Sequence, residues 1–425
     1  MSKNSLNIGL FGFGCVGQGL YHVLKNSTGF KANITKIAVK NRNKPRAVSK
    51  DLITYNKWEI LDDPAIDIVV ELIDDAAEAY LIVTEALRKR KHVVTANKKL
   101  LALHLEELIA LQKEHGVSLL YEGAVCGSIP ILRTLEEYFD NEPIKKVSGI
   151  FNGTSNYILS KMQSERIAYT SALAEAQEKG FAESDPSGDV NGDDAAYKAV
   201  IIALHAFGLV IGPQAVLNLG ISNLQKDDLG YAREKGCRIK LLPLVKRLHQ
   251  NSICVFVIPQ LVSSDHHLFQ VENEFNGVIV DGEFSGEQFL QGRGAGSYPT
   301  GAAVLSDISA LSHGYGYEYK KHRQARPLSF TNAVFLNVYL RYNTILDLEK
   351  IEFDEIYEKY ESADYNYVVG KIALTTLIAE KEFIFQNRLF VALINDETDP
   401  PTHELPRQKK QKTNSNPELR KKITA

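Results

Sequence analysis

The sequence predicts an α/β chain whose first domain is a doubly wound parallel sheet. Three observations predict it. A strand-length apolar run, Leu6 to Phe11, opens the chain and leads through a glycine-rich turn into a helix pattern marked by Leu20, Val23 and Leu24. Short apolar runs then alternate with helical stretches to about residue 140. The loops that follow these runs are rich in glycine and polar residues. Strands separated by helices imply a parallel sheet.

The first run meets Gly12-Phe13-Gly14-Cys15-Val16-Gly17, a Gly-x-Gly-x-x-Gly between strand and helix. That is the context in which the motif carries meaning. Gly12 permits a tight turn, Gly14 lets backbone approach a pyrophosphate, and Gly17 lets helix and strand pack closely. The helix N-terminus adds amides and a positive dipole end for the anion. The domain therefore reads as Rossmann-type, with Gly12, Phe13, Gly14, Cys15, Val16 and Gly17 as cofactor contacts. The second strand, near Ile34 to Val39, lacks the terminal acid that grips a ribose 2′-hydroxyl. Lys40-Asn41-Arg42-Asn43-Lys44-Pro45-Arg46 follows instead. Cations there suit a 2′-phosphate and favour NADP, with NAD as the alternative; a solvated basic loop is the plainer reading of the same run.

A buried strand is expected at Ile66 to Leu72, a helix at Ala77 to Arg90 and a strand at His92 to Thr95. A helix at Leu105 to His115 and a strand at Val117 to Tyr121 complete the pattern. Ligands bind such sheets at the carboxyl ends of the strands. Those ends carry Asp74-Asp75, Ala96-Asn97-Lys98 and Glu122 to Pro130.

From about Glu142 the pattern changes. Ile144 to Phe151 reads as a strand, Ser171 to Lys179 and Asp193 to Phe207 as helices, and Ile253 to Ile258 and Gly277 to Val280 as strands. Residues 141–291 thus form an α+β substrate and dimerisation domain. It is inserted before the chain returns, at about 292–325, to the first domain (1–140). The return carries Gly292-Arg293-Gly294-Ala295-Gly296 ahead of a helix from Thr300 through Leu311. Gly294 is its cofactor candidate, a simple tight turn being the alternative. A third unit, 326–396, has strand-like Ala333 to Tyr342, helix-like Phe353 to Tyr360, and strand-like Tyr367 to Leu374 and Leu389 to Leu393. Residues 397–425 turn polar and lysine-rich and read as a disordered tail.

The chemistry concentrates between Glu183 and Lys198. Five carboxylates (Glu183, Asp185, Asp189, Asp193 and Asp194) open directly into the apolar helix that begins at Ala195. Asp194 and Lys198, one turn apart, share a face against a packed core. A buried acid and lysine need partners or substrate. An acidic loop with a helix-stabilising ion pair is the plainer alternative.

Composition narrows the classes. At 425 residues the chain allows two or three domains, and its net charge of −3 gives no case for nucleic acid or a membrane surface. No apolar stretch reaches membrane-spanning length and no signal peptide precedes the first strand. The four cysteines, Cys15, Cys126, Cys237 and Cys254, show neither metal nor disulfide spacing, so a reducing cytoplasm is expected.

Together, the Gly12 to Gly17 turn, Val94-Thr95-Ala96-Asn97-Lys98, Tyr121 to Pro130, Gly149 to Leu159, Glu183 to Lys198 and Gly292 to Asp307 resemble the homoserine dehydrogenases, over roughly residues 6–315. The resemblance implies reduction of L-aspartate 4-semialdehyde to L-homoserine with a nicotinamide cofactor, on the route to threonine, methionine and isoleucine. It implies that Glu183 holds the amino-acid end of the substrate in a dry site, and that Asp189 and Asp194 line the same site. Lys198 corresponds to the proton donor, and Lys98 to the lysine that meets both cofactor and substrate and polarises the carbonyl. Residues alone do not decide which lysine does which. The Glu122 loop resembles a sodium site, with backbone carbonyls of Val125, Gly127 and Ile129 as ligands; a strand-end cap is the alternative for Glu122. A homodimer or larger homo-oligomer is implied as well.

The chain departs from the family in three places. Asp74-Asp75-Ala76 stands where many members carry Gly-Gly-Thr beside the nicotinamide, and Ser128 replaces a common glycine. The third unit lies where longer members carry an ACT domain that senses threonine. Phe335 to Arg341 resembles its first strand, but Tyr342 to Leu348 lacks the Asp-x-x-Gly turn. This implies a degenerate ACT-like domain with threonine as its candidate effector. A non-catalytic nucleotide sensor on the same scaffold also fits Asp74-Asp75. Against it stands the complete set Lys98, Glu183, Asp189, Asp194 and Lys198.

Overall fold

In the computed structural model, which describes residues 6–248, 251–324 and 328–399, the opening run is β1 (Leu6–Phe11) and the glycine turn delivers the chain into α1 (Cys15–Asn26). Then come β2 (Ala32–Ala38), β3 (Ile53–Thr54), α2 (Trp58–Leu61), β4 (Ile68–Glu71) and α3 (Ala76–Arg88). β5 (His92–Thr95), α4 (Lys98–His115) and β6 (Leu119–Leu120) follow. The strands pair in parallel in the order β3-β2-β1-β4-β5-β6. This is the doubly wound, Rossmann-type order that the alternation predicts. α4 begins earlier than its apolar pattern, because the Asn97 side chain caps it by accepting the Leu100 amide hydrogen.

A buried network fixes the carboxyl ends of β4 and β5. Glu71 accepts hydrogen bonds from the Thr95 hydroxyl at 2.5 Å and the Ile73 amide at 2.7 Å. Thr95 accepts from the Asn97 amide at 3.0 Å, and the Asn97 side chain donates to the Ile73 carbonyl at 3.1 Å. Lys98 leaves directly from this braced turn. Burial pushes the Glu71 carboxyl up to about 7, against the opposing pull of the Thr95 and Ile73 hydrogen bonds.

The middle of the chain adds α5 (Ile131–Arg133), β7 (Ile144–Ile150), α6 (Gly153–Glu165), α7 (Tyr169–Glu178), α8 (Ser187–Val190) and α9 (Asp193–Phe207). β8 (Leu217–Asn218), α10 (Lys226–Glu234), β9 (Cys237–Arg247), β10 (Ser252–Ser263), β11 (Phe275–Gly282) and β12 (Gly286–Arg293) follow. β9 gave no strand signal in the sequence, since Lys240 and Pro243 break its apolar pattern, yet it pairs with β10 along its whole length. The chain then returns through α11 (Ser297–Ser312), which packs on α1. Glycines let the two backbones touch: a Cβ on Gly19 would lie 1.9 Å from the Ser297 carbonyl oxygen, and one on Gly301 2.6 Å from the Leu20 nitrogen.

After β13 (Ser329–Phe330) the last unit runs β14 (Phe335–Tyr342), α12 (Ile345–Lys350), β15 (Glu355–Tyr360), β16 (Asn366–Ala373), α13 (Leu374–Ala379), α14 (Lys381–Gln386) and β17 (Phe390–Asp399). Its strands lie antiparallel in the order β17-β14-β16-β15, a split βαβ arrangement. β17 also pairs with β10, which makes one continuous sheet, β12-β11-β7-β9-β10-β17-β14-β16-β15.

Two expectations are corrected. Phe353 to Tyr360 is not helical: β15 is an edge strand with nearly every side chain exposed, so it lacks the alternation that marks a half-buried strand. The polar tail does not begin at residue 397, because β17 runs to Asp399, with Thr398 opposite Leu336 and Asp399 opposite Phe335. The rest of that tail, 400–425, lies outside the described residues.

The Glu71 carboxyl carries a prediction. Its folded value, about 7, lies above its ordinary 4.5. Between these values the native chain keeps a proton that the unfolded chain has released, so this group's contribution to stability falls as pH rises from 4.5 to 7. Glu71→Gln is expected to lose that decline in thermal unfolding measured across the interval. Equal pH slopes for the two proteins would refute it.

Candidate active site

An open cleft of about 650 Å³ is lined by the carboxyl ends of the first sheet, the segment from Glu183 to Lys198 and the return loop Arg293 to Gly296. Gly192, at φ +88°, turns the chain from α8 into α9 in the left-handed region. The first turn of α9 then presents Asp194, and the next presents Lys198, both buried. From the other side comes Lys98, the first residue of α4.

The three side chains meet. One Asp194 oxygen lies 2.7 Å from the Lys98 ammonium and the other 2.7 Å from that of Lys198. Both lysines line the cleft, but the Lys98 side chain is 44% exposed and that of Lys198 9%, so Lys98 is the more open of the two. Lys198 also donates to the Phe151 carbonyl at 2.7 Å. Among the described residues this commits two of its N–H groups and leaves the third for a ligand. Burial acts to raise the Asp194 carboxyl, but the charges of Lys198 and Lys98 outweigh it and hold the group well below the usual carboxylate range. The same charge on Asp194 raises Lys98.

Asn152, the N-cap of α6, ties the acids together. Its amide donates to Asp189 at 2.7 Å and to Asp194 at 2.8 Å, while its oxygen accepts from the Ser155 amide at 2.8 Å. Burial, and then the neighbouring Asp194 charge, raise Asp189. The sequence carries Asn152 within the Gly149 to Leu159 motif and assigns it no role of its own. Its one signal was an asparagine at a strand end before Gly153-Thr154, a common capping position. Glu183 lines the cleft but is exposed to solvent, which corrects the expectation of a dry acceptor: short α8 holds the chain around Asp189 inward and leaves Glu183 on the rim.

The glycine turn has the geometry of a dinucleotide cradle. A Cβ on Gly12 would strike the Leu72 carbonyl at 2.4 Å and one on Gly17 the Gly12 carbonyl at 2.4 Å, whereas one on Gly14 would meet nothing within 4 Å. Gly14 therefore leaves open the side from which a pyrophosphate approaches. Phe13 is buried and Cys15 exposed at the head of α1, and Ser297 of α11 donates to the Cys15 carbonyl at 2.8 Å. At the end of β2, Arg46 closes its own loop through the carbonyls of Asn41 and Lys44, and Arg42 lies 4.5 Å over the Tyr55 ring. Asp75 caps α3 by accepting from the Ala77 and Glu78 amides, so one of the two departing acids has a structural task, while Asp74 faces the cleft.

The Glu122 carboxylate accepts the Leu132 and Arg133 amides at 2.8 and 3.0 Å and so caps α5. The next loop turns through Cys126 and Gly127, both at positive φ. Ser128 clamps it to the return loop by donating to the Arg293 carbonyl at 3.1 Å and accepting the Arg293 amide at 3.2 Å.

Gly14→Ala separates cradle from scaffold. The methyl group fits the apo fold, so the melting temperature should stay within a few degrees. Nucleotide affinity should fall roughly tenfold or more, about 1.4 kcal/mol per factor of ten. Calorimetric titration at wild-type affinity would contradict this.

Comparison with known proteins agrees with the geometry. The family model described as homoserine dehydrogenase matches residues 130–309, and that described as homoserine dehydrogenase, NAD binding domain, matches 12–122. The homoserine dehydrogenase of Bacillus subtilis is 40% identical over 316 residues, covering 72% of this chain and 73% of its own length. The crystal structure of a homoserine dehydrogenase from Thiobacillus denitrificans superposes with a TM-score of 0.81 at 31% identity, covering 92% of this chain and 99% of that one. A hyperthermophilic archaeal homoserine dehydrogenase in complex with NADPH superposes with a TM-score of 0.64 at 26% identity, covering 74% and 99%. The chain belongs to the homoserine dehydrogenase family, oxidoreductases that act on a CH–OH group with a nicotinamide cofactor.

Proposed function

We propose that Lys198 is the proton donor and Lys98 the polarising lysine in reduction of L-aspartate 4-semialdehyde to L-homoserine. The observation that carries this reading is the single Asp194 carboxylate 2.7 Å from each ammonium. Asp194 holds both ammonium groups at one point. An aldehyde oxygen there gathers negative charge against cations that need not reorganise. The bound nicotinamide supplies the hydride. Lys198 then gives its free N–H proton to the forming alkoxide and, once neutral, keeps its bond to the Phe151 carbonyl. Asp189 and Glu183 hold the substrate ammonium, Glu183 from the solvent side of the cleft.

The coenzyme reading is NADP, with NAD as the alternative. The glycine turn Gly12 to Gly17, Lys98 and Gly294 hold it, and the loop braced by Arg46 supports a 2′-phosphate site. Sodium is assigned to the carbonyls of Val125, Gly127 and Ile129 beside Glu122. The donor chemistry fits: among the described residues no hydrogen bond reaches the Val125 or Gly127 carbonyl, and hard oxygen ligands suit this ion. The last unit is taken as ACT-like, on the support of its split βαβ topology, with threonine as effector. In place of the missing effector turn, Thr344 and Asp347 form a capping box that starts α12. A homodimer, or a larger homo-oligomer, and a cytoplasmic home complete the reading; four free thiols support a reducing compartment.

Lys198→Ala is expected to lower kcat for semialdehyde reduction roughly 10²-fold or more, as for loss of a positioned acid. Near-normal turnover, followed by nicotinamide absorbance, would sink the assignment. Asn152→Ala leaves two carboxylates facing each other without their shared donor. It should cost roughly ten- to a hundredfold in kcat, the range for a hydrogen bond to a charged group. Arg42→Ala should raise KM for NADPH roughly tenfold, as loss of a phosphate contact would. KM for NADH should not move, and an equal change for both coenzymes would refute the 2′-phosphate site.

A further inference from the structure

The segment from β8 to the first turn of α10 lies between the active-site turn and the last unit, and is bonded to both. On the active-site side, the Ile221 amide donates to the Val190 carbonyl at 2.7 Å. A Cβ on Gly220 would lie 2.0 Å from the same Val190 oxygen, so the contact is backbone on backbone. The Asn218 amide donates to the Asn191 carbonyl at 3.0 Å and to Asp193 at 2.6 Å. On the other side, Asn223 donates to the carbonyls of Ile384, Phe385 and Leu389, and its own carbonyl accepts from Arg341 at 2.7 Å. Arg341 and Tyr339 both reach buried Asp228 in α10.

Lys381, at the start of α14, closes the circuit with a bond of 2.6 Å to the Asn218 side-chain oxygen. The chemistry of this contact is directional. An ammonium can only donate, so it accepts one orientation of the Asn218 amide, oxygen towards Lys381. The NH₂ group must then face the turn, where its two partners, the Asp193 carboxylate and the Asn191 carbonyl, can only accept. Asp193 adjoins Asp194, and Gly192 between Asn191 and Asp193 is the left-handed hinge from which α9 starts.

We propose that Lys381 is a positioning residue for the reaction: by fixing the orientation of the Asn218 amide, it holds the turn that aims Asp194 between Lys98 and Lys198. The inference rests on the active-site reading above. It gives the last unit, which lies beyond the residues matched by the family model, a part in turnover that needs no effector.

The test uses the full chain. Lys381→Met keeps the apolar stem and removes the charge from a half-buried position. It should lower kcat roughly three- to thirtyfold, the range for coupling through such a network. KM for the coenzyme should not change, and Lys381→Arg, another obligate donor, should recover most of the loss. In an Asn218→Ala background, Lys381→Met should have no further effect, since one path carries both. Wild-type kcat in Lys381→Met, or a loss that adds in full to that of Asn218→Ala, would overturn the proposal. Lys198→Ala is assayed alongside. If it loses turnover while Lys381→Met does not, the relay fails alone; if Lys198→Ala keeps turnover, the active-site reading fails and the relay with it.

Discussion

One carboxylate shared by two lysines is the constraint on which the rest of the structure depends. Lys98 comes from the first domain and Lys198 from the second, so Asp194 both lines the cleft and forms part of the joint between them. Burying a lone carboxylate or a lone ammonium would be costly, and here each is tolerated because the others are present. The surrounding scaffold keeps this arrangement in register. Glu71, Thr95 and Asn97 brace the turn that launches Lys98, Gly192 sets the entry angle of α9, and Asn152 separates Asp189 from Asp194. With Asp189 held beside Asp194 by Asn152, the cluster sets two acids against two lysines.

The first domain was legible because its physics is local. Strands buried on both faces appear as apolar runs, and a glycine turn at their mouth has few other uses. The lysines and acids of the cleft were legible for a related reason: an acidic cluster that opens directly into an apolar helix is hard to explain as surface. Asn152 and Glu71 were not. Each is an ordinary residue whose role arises only when separate elements meet, Asn152 where β7 faces α8 and Glu71 where β4 lies beside β5. β15 failed in another way, since an exposed edge strand carries neither alternation nor an apolar run. The contact of Lys381 with Asn218, 163 residues apart, leaves no trace in either local sequence.

The attachment of the last unit follows the same logic. Its strands join the middle sheet on β10, where Gln260 lies opposite Leu393 of β17 and Ile253 opposite Phe330 of β13. The buried pair of Arg341 and Asp228, with Tyr339 on the same carboxylate, adds a directional polar contact there. A buried ion pair is a weak source of net stability but costly to break from one side. Around it the two units share one apolar core, in which Leu244, Phe256 and Ile258 pack with Leu336, Val338 and Leu393, so the joint is held by burial as well as by charge.

The close crossing of α1 and α11 has a consequence for how the chain is made. The ribosome completes the first sheet at Leu120, but the helix that seals the nucleotide turn does not begin until Ser297. At roughly 5–20 residues per second, the glycine face of α1 waits on the order of ten seconds or more for its partner while the second domain is synthesised. During that interval the nascent protein exposes the face of α1 around Gly19 that α11 will later cover.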